Sequence, residues 1–260
     1  MQNYHPLTLA PYWAAALTLC MVIAATPAGA KEPPADPEAY RLLNRAVQAR
    51  AVWDEAFPGF TADIRLNYQG HVQRGALRVL ADGTIKLNGL DDQHSEARAW
   101  AYEWLGEMVF HRMGAQSSPE QYREIRFAGS KSDPLGPMLV TGDDFNSSFR
   151  VDGKVIRQVN RDLASPGARH EGPQRVRINV LATATTPEGG VLPVQYVINY
   201  LDEDGQLTGV DAVSSRFVRV GDYHVPQWRR VITTGDNAIT TGELTLSNHR
   251  LIEASETASR

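Results

Sequence analysis

The stretch of sequence that decides the fold is VDAVSSRFVRVGDYHVPQWRRVITTGDNAITTGELTLSNHRLI, which runs from Val210 to Ile252. Two turns divide it, at Gly221-Asp222 and at Gly235-Asp236-Asn237, where we expect the positive φ angles that Gly, Asp and Asn tolerate best. In the last segment Leu244 and Leu246 alternate with polar residues, which is typical of a strand with one buried face. The stretch therefore predicts three consecutive antiparallel strands.

The same pattern extends upstream. Residues 60–68 are apolar at every second position, and further short segments of this kind are separated by turn-forming sequences at Gly70, Asp82-Gly83, Asp152-Gly153, Gly189-Gly190 and Asp204-Gly205. A twisted sheet with about 10–12 strands tends to curl. We therefore predict a mainly β (α+β) fold, in which a curved antiparallel half-barrel of about 10–12 strands carries two amphipathic helices on its concave face.

Two segments have helical periodicity. The first is expected from Pro37 to about Ala56, because Asp36 can cap it and Pro is favourable at the first helical position. The second is expected from Asp92 to about Gly114. Its apolar stripe consists of Ala97, Trp100, Ala101, Trp104, Leu105, Met108 and Val109. A further helical turn is indicated at 118–121, and residues 129–144 are expected to form a loop.

The N-terminal segment resembles an export signal. Residues 1–30 contain no Asp, Glu, Lys or Arg, and Tyr12–Ala25 is nearly all apolar but shorter than the roughly 20 residues that span a bilayer. Ala28-Gly29-Ala30 fits signal peptidase cleavage. We predict a signal peptide (1–30), a flexible leader (31–36), a single half-barrel domain (37–254) and a tail (255–260), hence a periplasmic or extracellular protein. The alternative is an uncleaved signal that anchors the chain to the membrane.

Composition limits the chemistry and the partners. Cys20 is the one cysteine of the chain and lies within the signal segment, so the exported part can have no disulfide and no thiolate nucleophile. A net charge of −4 gives no electrostatic reason to bind nucleic acid. We expect no nucleic acid partner and transient membrane contact at most, and the sequence leaves the oligomeric state open.

No motif of a known catalytic site is present. The seven histidines form no HxH or HExxH pattern, and nucleophile-elbow, phosphate-loop and dinucleotide-binding glycine patterns are absent. Glu103, Glu107 and His111 lie four residues apart on one face of the second helix. They could be metal ligands or an acid–base set. The alternative, which is the commoner outcome, is a solvated polar flank beside the apolar stripe. We predict no catalytic residues, no metal and no cofactor, and therefore a protein that is not an enzyme.

Aromatic and aliphatic side chains remain as candidates for function. The predicted ligand-binding residues are Trp100, Trp104, Met108, Tyr196, Ile198 and Trp228. If the sheet curls only partly around the helices, these side chains would line a cavity for a lipid or another apolar small molecule. The alternative is that they form a close-packed core.

Several motifs resemble known families. Trp53–Phe60 (WDEAFPGF), Asp91-Asp92 before the Trp-rich helix, Gln158–Arg161 (QVNR) and Val220–Pro226 (VGDYHVP) are similar to an uncharacterised bacterial and cyanobacterial family, domain of unknown function 3386. The resemblance covers most of residues 38–252 and implies no assigned activity. The segment 217–226 with its following strand pair is more weakly similar to the periplasmic lipoprotein-carrier (LolA/LolB-like) superfold, which implies a half-barrel closed by helices around an acyl-chain cavity.

These observations leave three hypotheses about function. The leading one is an exported binding module that holds a lipid or another apolar ligand in the half-barrel. The second is an envelope structural or assembly factor with a filled core, acting through surface contacts. The third, less favoured, is a hydrolase that uses Asp or Glu with His111 or His224, and it requires a carboxylate and a histidine to converge in a cleft.

Overall fold

The computed structural model describes residues 35–91, 95–114, 122–130, 132–163, 174–235 and 238–253. The predicted signal peptide, the cap residue Asp92, the helical turn at 118–121, the turn residues Asp236 and Asn237, and the tail lie outside these ranges. Neither of the two described helices is long and apolar enough to cross a membrane.

The twelve strands form one antiparallel sheet, so the predicted mainly β fold with a curved sheet and two helices is confirmed. The strands are β1 Gly59–Tyr68, β2 His71–Leu80, β3 Ile85–Asn88, β4 Arg126–Ala128, β5 Met138–Val140, β6 Ser148–Asp152, β7 Val155–Leu163, β8 Gln174–Thr185, β9 Val191–Leu201, β10 Leu207–Val220, β11 Tyr223–Gly235 and β12 Ala238–Leu251. Their order is β3-β2-β1-β12-β11-β10-β9-β8-β7-β6-β5-β4. Neighbours follow the chain except where β1 pairs with β12, so most connections are hairpins.

The second helix, α2 (Ser95–Phe110), explains this topology. It lies in the sequence between β3 and β4, which are the two opposite edges of the sheet. The chain therefore forms β1–β3 at one edge and passes through the segment that contains α2 to β4 at the opposite edge. Strands β4–β12 then follow one another across the sheet until β12 pairs with β1. The seven residues of the predicted apolar stripe are the seven buried residues of α2, because a helix on a sheet buries the face that repeats every three to four residues.

The first helix, α1 (Pro37–Gln48), begins as predicted but ends earlier than Ala56. The Asp36 side chain accepts hydrogen bonds from the backbone amides of Glu38 and Ala39 at 3.0 and 3.1 Å. Ala49 still has helical backbone angles, but beyond Arg50 the hydrogen bonds are long-range: Ala51 donates to the carbonyl of Val191 at 3.0 Å, and Trp53 donates to the carbonyl of Arg112. These long-range hydrogen bonds replace the helical ones and end α1.

Two predictions about turns and loops need correction. The sequence pattern predicts a loop over residues 129–144, but β5 lies within them and pairs with β6. A strand of three residues is too short for its alternation to be recognised. Gly235 ends β11 without a positive φ, whereas Gly221 has a φ of 58° as expected. Gly235 is instead paired with Ala238 in the sheet.

Both helices pack on the same face of the sheet, which we call the inner face. Leu43 of α1 is buried with the apolar side chains of β5, β6 and β7, and Leu105 of α2 is buried with those of β1, β2 and β9–β12. Val159 and Ile178 are direct neighbours across β7 and β8, and they contact the α1 and α2 clusters respectively. The core is therefore one continuous layer that consists of two adjoining clusters, one under α1 and one under α2.

Candidate functional site

The core under α2 is filled by aromatic side chains. The indole of Trp100 lies on Gly242 of β12 so closely that a Cβ atom at this position would be 2.2 Å from the ring. The ring centroids of Tyr68 and Trp104 lie 5.8 and 6.5 Å from that of Trp100. Gly242 is therefore required where Trp100 meets the sheet, and no space for a ligand remains at this contact.

A buried ion pair lies beside these rings. Arg229 of β11 is 3% exposed and donates to the Glu107 carboxylate of α2, to Ser215 Oγ at 3.1 Å and to the Trp104 carbonyl at 3.2 Å. Its guanidinium also lies 5.5 Å from the centre of the Trp104 ring and 5.8 Å from that of Tyr196. The charge of Arg229 is thus surrounded by one carboxylate, two oxygen acceptors and two aromatic faces.

The environment of the pair determines its titration. Burial raises the pKa of Glu107, but the positive charges of Arg229 and His111 and the hydrogen bond from Arg229 outweigh it, so the net pKa lies below its usual value. Burial lowers the pKa of Arg229, while the Glu107 carboxylate raises it and prevails. Burial raises the pKa of Tyr196 well above its usual range. The pair is therefore fully ionised at neutral pH.

A second buried arginine follows at the end of α2. Arg112 is 5% exposed, donates to the carbonyl of Ala51 and lies 5.1 Å from the Phe217 ring centre. Burial, together with the nearby charge of Arg50, lowers the pKa of Arg112 to about 10. Arg50 itself donates to the carbonyl of His111 at 3.1 Å. These contacts fasten the segment after α1 to the end of α2.

The predicted site residues do not all meet. Trp100, Trp104, Met108 and Tyr196 are at most 6% exposed, and Ile198 is partly buried against the same cluster. Trp228 lies on the opposite, outer face of the sheet, where the Arg216 guanidinium is 5.0 Å from its ring centre. Five of the six residues thus contribute to the packed inner layer, and Trp228 does not.

The Glu103, Glu107 and His111 set is neither a metal site nor a simple solvated flank. His111 Nε2 lies 3.3 Å from Glu107, and its side chain is half exposed, whereas Glu107 is directed towards Arg229. Across the described ranges, no group of three His, Cys, Asp or Glu side chains could hold a metal ion. The Asp143 carboxylate caps a turn by accepting from the Ser147 amide at 2.8 Å.

Sequence reasoning missed a pocket at one end of the sheet, which we call the junction pocket. Its volume is about 520 Å³. Its walls come from the end of α1 and the extended segment after it, the β6–β7 turn, the β8–β9 turn and the β10–β11 hairpin. The backbone of Gly190 approaches Ala51 so closely that a Cβ there would be 3.0 Å from the Ala51 side chain. This contact joins two walls of the pocket.

The junction pocket combines an apolar wall with cations. Ala49, Ala51, Val52, Trp53 and Tyr223 supply the apolar part, and Val52 is 45% exposed. The indole nitrogen of Trp53 donates to the carbonyl of His224 at 3.1 Å, which fixes the ring against the β10–β11 hairpin.

The cations of the junction pocket are Arg45, Arg50 and Lys154, and its carboxylates are Glu188 and Asp222. Glu188 lies 3.3 Å from Arg219 and Asp222 lies 3.4 Å from the same side chain. Over the part of the chain that the structure describes, neither Arg45 nor Lys154 takes part in an ion pair. The carboxylates of the pocket thus have a partner in Arg219, while two of its cations have none among the described residues.

Comparisons with solved structures give only distant similarities. A crystal structure from Vibrio parahaemolyticus, provisionally described as an outer membrane lipoprotein-sorting protein domain, has a TM-score of 0.31 and 11% identity, covering 85% of this chain and 96% of its own. A LolA superfamily protein from Nitrosomonas europaea has a TM-score of 0.27 and 12% identity, and the match covers 84% of this chain and 96% of that protein. A DUF1329 family protein from Desulfovibrio piger has a TM-score of 0.26 and 10% identity, and the match covers 86% of this chain and 95% of that protein.

The predicted similarity to lipoprotein-sorting domains is therefore found, but at these TM-scores it carries no inference about the ligand. No curated protein matches the sequence. The sequence pattern of a family described as "Protein of unknown function (DUF3386)" matches residues 35–252, which include all twelve strands and both helices. The chain therefore belongs to the DUF3386 family.

Proposed function

We propose that the protein is a non-enzymatic binding module for an amphiphile with an acidic head group, such as a fatty acid or an anionic lipid, and that it acts after export from the cytoplasm. The observation that carries this proposal is the junction pocket. Its volume of about 520 Å³ falls within the range of roughly 300–1,000 Å³ that is usual for small-molecule sites.

The lining of the pocket matches both ends of such a ligand. Val52, Trp53 and Tyr223 offer an apolar surface, and each buried methylene contributes about 0.8 kcal/mol to binding. Arg45 and Lys154 offer positive charge to an acidic head group. In this proposal α2 with Trp100, Trp104 and Met108 is the packed layer behind the site and not its lining.

A dansyl-labelled fatty acid tests the proposal, since its fluorescence rises in an apolar site. The variant Val52→Asp places a charge on the apolar wall and next to the head group, so we expect affinity to fall by at least about 10-fold. Val72→Asp is the matched control, because Val72 is 43% exposed and lies on β2, outside the pocket lining. We expect no change for the control.

A second pair of variants tests the head group. Lys154→Gln should weaken binding of the labelled acid, and Arg126→Gln, on β4 and outside the pocket lining, should not. A labelled fatty alcohol should bind more weakly than the acid and should not respond to Lys154→Gln. Absence of saturable binding to the wild-type protein, or equal losses for Val52→Asp and Val72→Asp, would refute the proposed site.

One observation favours a hydrolase as the second candidate. Glu188 Oε2 lies 3.5 Å from His224 Nε2 in the junction pocket, and a carboxylate with a histidine can activate a water molecule. Hydrolysis of a p-nitrophenyl ester, lost in both Glu188→Gln and His224→Asn, would support this candidate. The binding proposal expects no hydrolysis above that of the buffer.

A further inference from the structure

The outer face of the sheet, away from both helices, carries an unusual concentration of positive charge. Seven cationic side chains project from this face on strands β1–β3 and β10–β12. They are Arg65, Arg74, Arg78, Lys86, Arg216, Arg230 and Arg250. We call this surface the basic face.

The strand register places these side chains in rows. The first row runs across β3, β2, β1 and β12 through Lys86, Arg78, Thr61 and Arg250. The second runs from β2 to β10 through Arg74, Arg65, Thr245, Trp228 and Arg216. With strands about 4.8 Å apart and about 3.4 Å per residue, the basic face extends roughly 20 Å in each direction.

Few carboxylates offset this charge. Two carboxylates lie on the basic face among the described residues: Asp63 is on β1 between the two rows, and Glu243 is on β12 next to the second row. Asp63 accepts from the Asn248 side chain at 2.6 Å, and Glu243 lies 4.0 Å from Arg65. The chain as a whole has a net charge of −4, so the rest of the molecule is acidic and the positive charge is a local arrangement.

Two pairs of these cations are direct neighbours across adjacent strands. Arg78 is the direct neighbour of Lys86 across β2 and β3, and Arg74 is the direct neighbour of Arg65 across β2 and β1. Like charges opposite each other on antiparallel strands destabilise the pair. A surface with many negative charges in one plane would offset the charge of both pairs together.

From this charge complementarity we propose that the basic face docks on a membrane surface containing anionic phospholipids. Trp228 lies in the middle of the second row and is partly exposed, and an indole next to arginines suits the boundary between head groups and acyl chains. Double-stranded nucleic acid would match the charge, but its bases are already stacked on one another and offer the indole no apolar layer. Because the rest of the molecule is acidic, a flat partner that meets this face alone is favoured.

Flotation of the full chain with vesicles tests the docking proposal. Vesicles of phosphatidylcholine alone are compared with vesicles that also contain phosphatidylglycerol, at low and at raised salt concentration. Residues 1–30 contain no Lys or Arg, so any binding through that segment should be nearly equal for the two vesicle types. We expect binding that requires phosphatidylglycerol and weakens with salt.

Charge variants locate the surface that binds. One triple variant removes three exposed cations of the basic face: Arg74→Gln, Arg230→Gln and Arg250→Gln. The matched control removes three exposed arginines elsewhere: Arg41→Gln, Arg126→Gln and Arg161→Gln. Both triple variants lose three positive charges. We expect the first to bind anionic vesicles on the order of 100-fold more weakly and the control to bind nearly as the wild type does.

Three results would overturn the proposal. They are equal binding of the wild type to both vesicle types, equal losses in the two triple variants, and binding of double-stranded DNA that depends on the basic face without any binding to vesicles. Matching far-ultraviolet circular dichroism and melting temperatures of both variants would show that they are folded. The salt titration of the wild-type chain gives a test that needs no variant.

Discussion

Replacing Glu107 by Gln tests whether the ion pair with Arg229 stabilises the packing of α2 on the sheet. Removing one partner of a buried pair costs about 3–5 kcal/mol, because the other charge stays buried without its counter-ion. Arg229 keeps its hydrogen bonds to Ser215 and to the Trp104 carbonyl. We therefore expect the lower end of this range, a loss of about 3 kcal/mol in the free energy of unfolding.

Urea denaturation followed by circular dichroism measures this loss. With an m-value of about 3 kcal/mol/M, the midpoint should decrease by about 1 M. The control is Glu96→Gln, an exposed residue in the first turn of the same helix, for which we expect less than about 1 kcal/mol.

A double variant tests the reason for the loss. Adding Arg229→Met to Glu107→Gln removes the unpaired charge, so the double variant should be more stable than Glu107→Gln alone. A loss for Glu107→Gln that equals that of Glu96→Gln, or a double variant in which the two losses simply add, would refute the reasoning.

Two further predictions follow from the same core. Gly242→Ala should destabilise the protein by about 2–3 kcal/mol because its Cβ would clash with Trp100. The control Gly142→Ala, whose Cβ would meet only ordinary contacts, should be nearly neutral. Equal melting temperatures of the two variants would contradict the predicted clash. The folded pKa of Glu107 is depressed, so its contribution to stability is complete above the unfolded pKa of about 4.3 and is lost as pH falls through the folded pKa. Urea midpoints below pH 4.3 should therefore fall less steeply in Glu107→Gln than in the wild type.

The strands and the buried face of α2 could be predicted from the sequence because their signals are local. Alternation along 60–68 depends on the pleat of one strand, and the stripe of α2 depends on 3.6 residues per turn. The start of α1 is equally local, since Asp36 caps amides two and three residues away. Its end was not predictable, because the hydrogen bonds that stop it go to Val191 and Arg112.

The orientation of β11 shows a different obstacle. Trp228 and Ile232 alternate with Arg229, Val231 and Thr233, and an aromatic residue normally identifies the buried face. Here Arg229 is buried because Glu107 neutralises it, and Trp228 consequently lies outside. The sequence contains both partners, but they are 122 positions apart. No periodicity connects them, so the face of β11 depends on a tertiary contact.

The junction pocket is harder still to predict, because none of its segments has a recognisable motif. Arg45 belongs to the exposed side of a helix, Lys154 to a hairpin and Gly190 to a tight turn, and each has an ordinary local explanation. They converge because the segment after α1 forms a parallel bridge between Arg50 and Val191, at the end of the sheet where the β6–β7, β8–β9 and β10–β11 turns meet. The position of that bridge depends on how far the sheet curves towards α1. Strand alternation reports which side of a strand is buried but not this curvature, so the site follows from the fold and not from any one stretch of sequence.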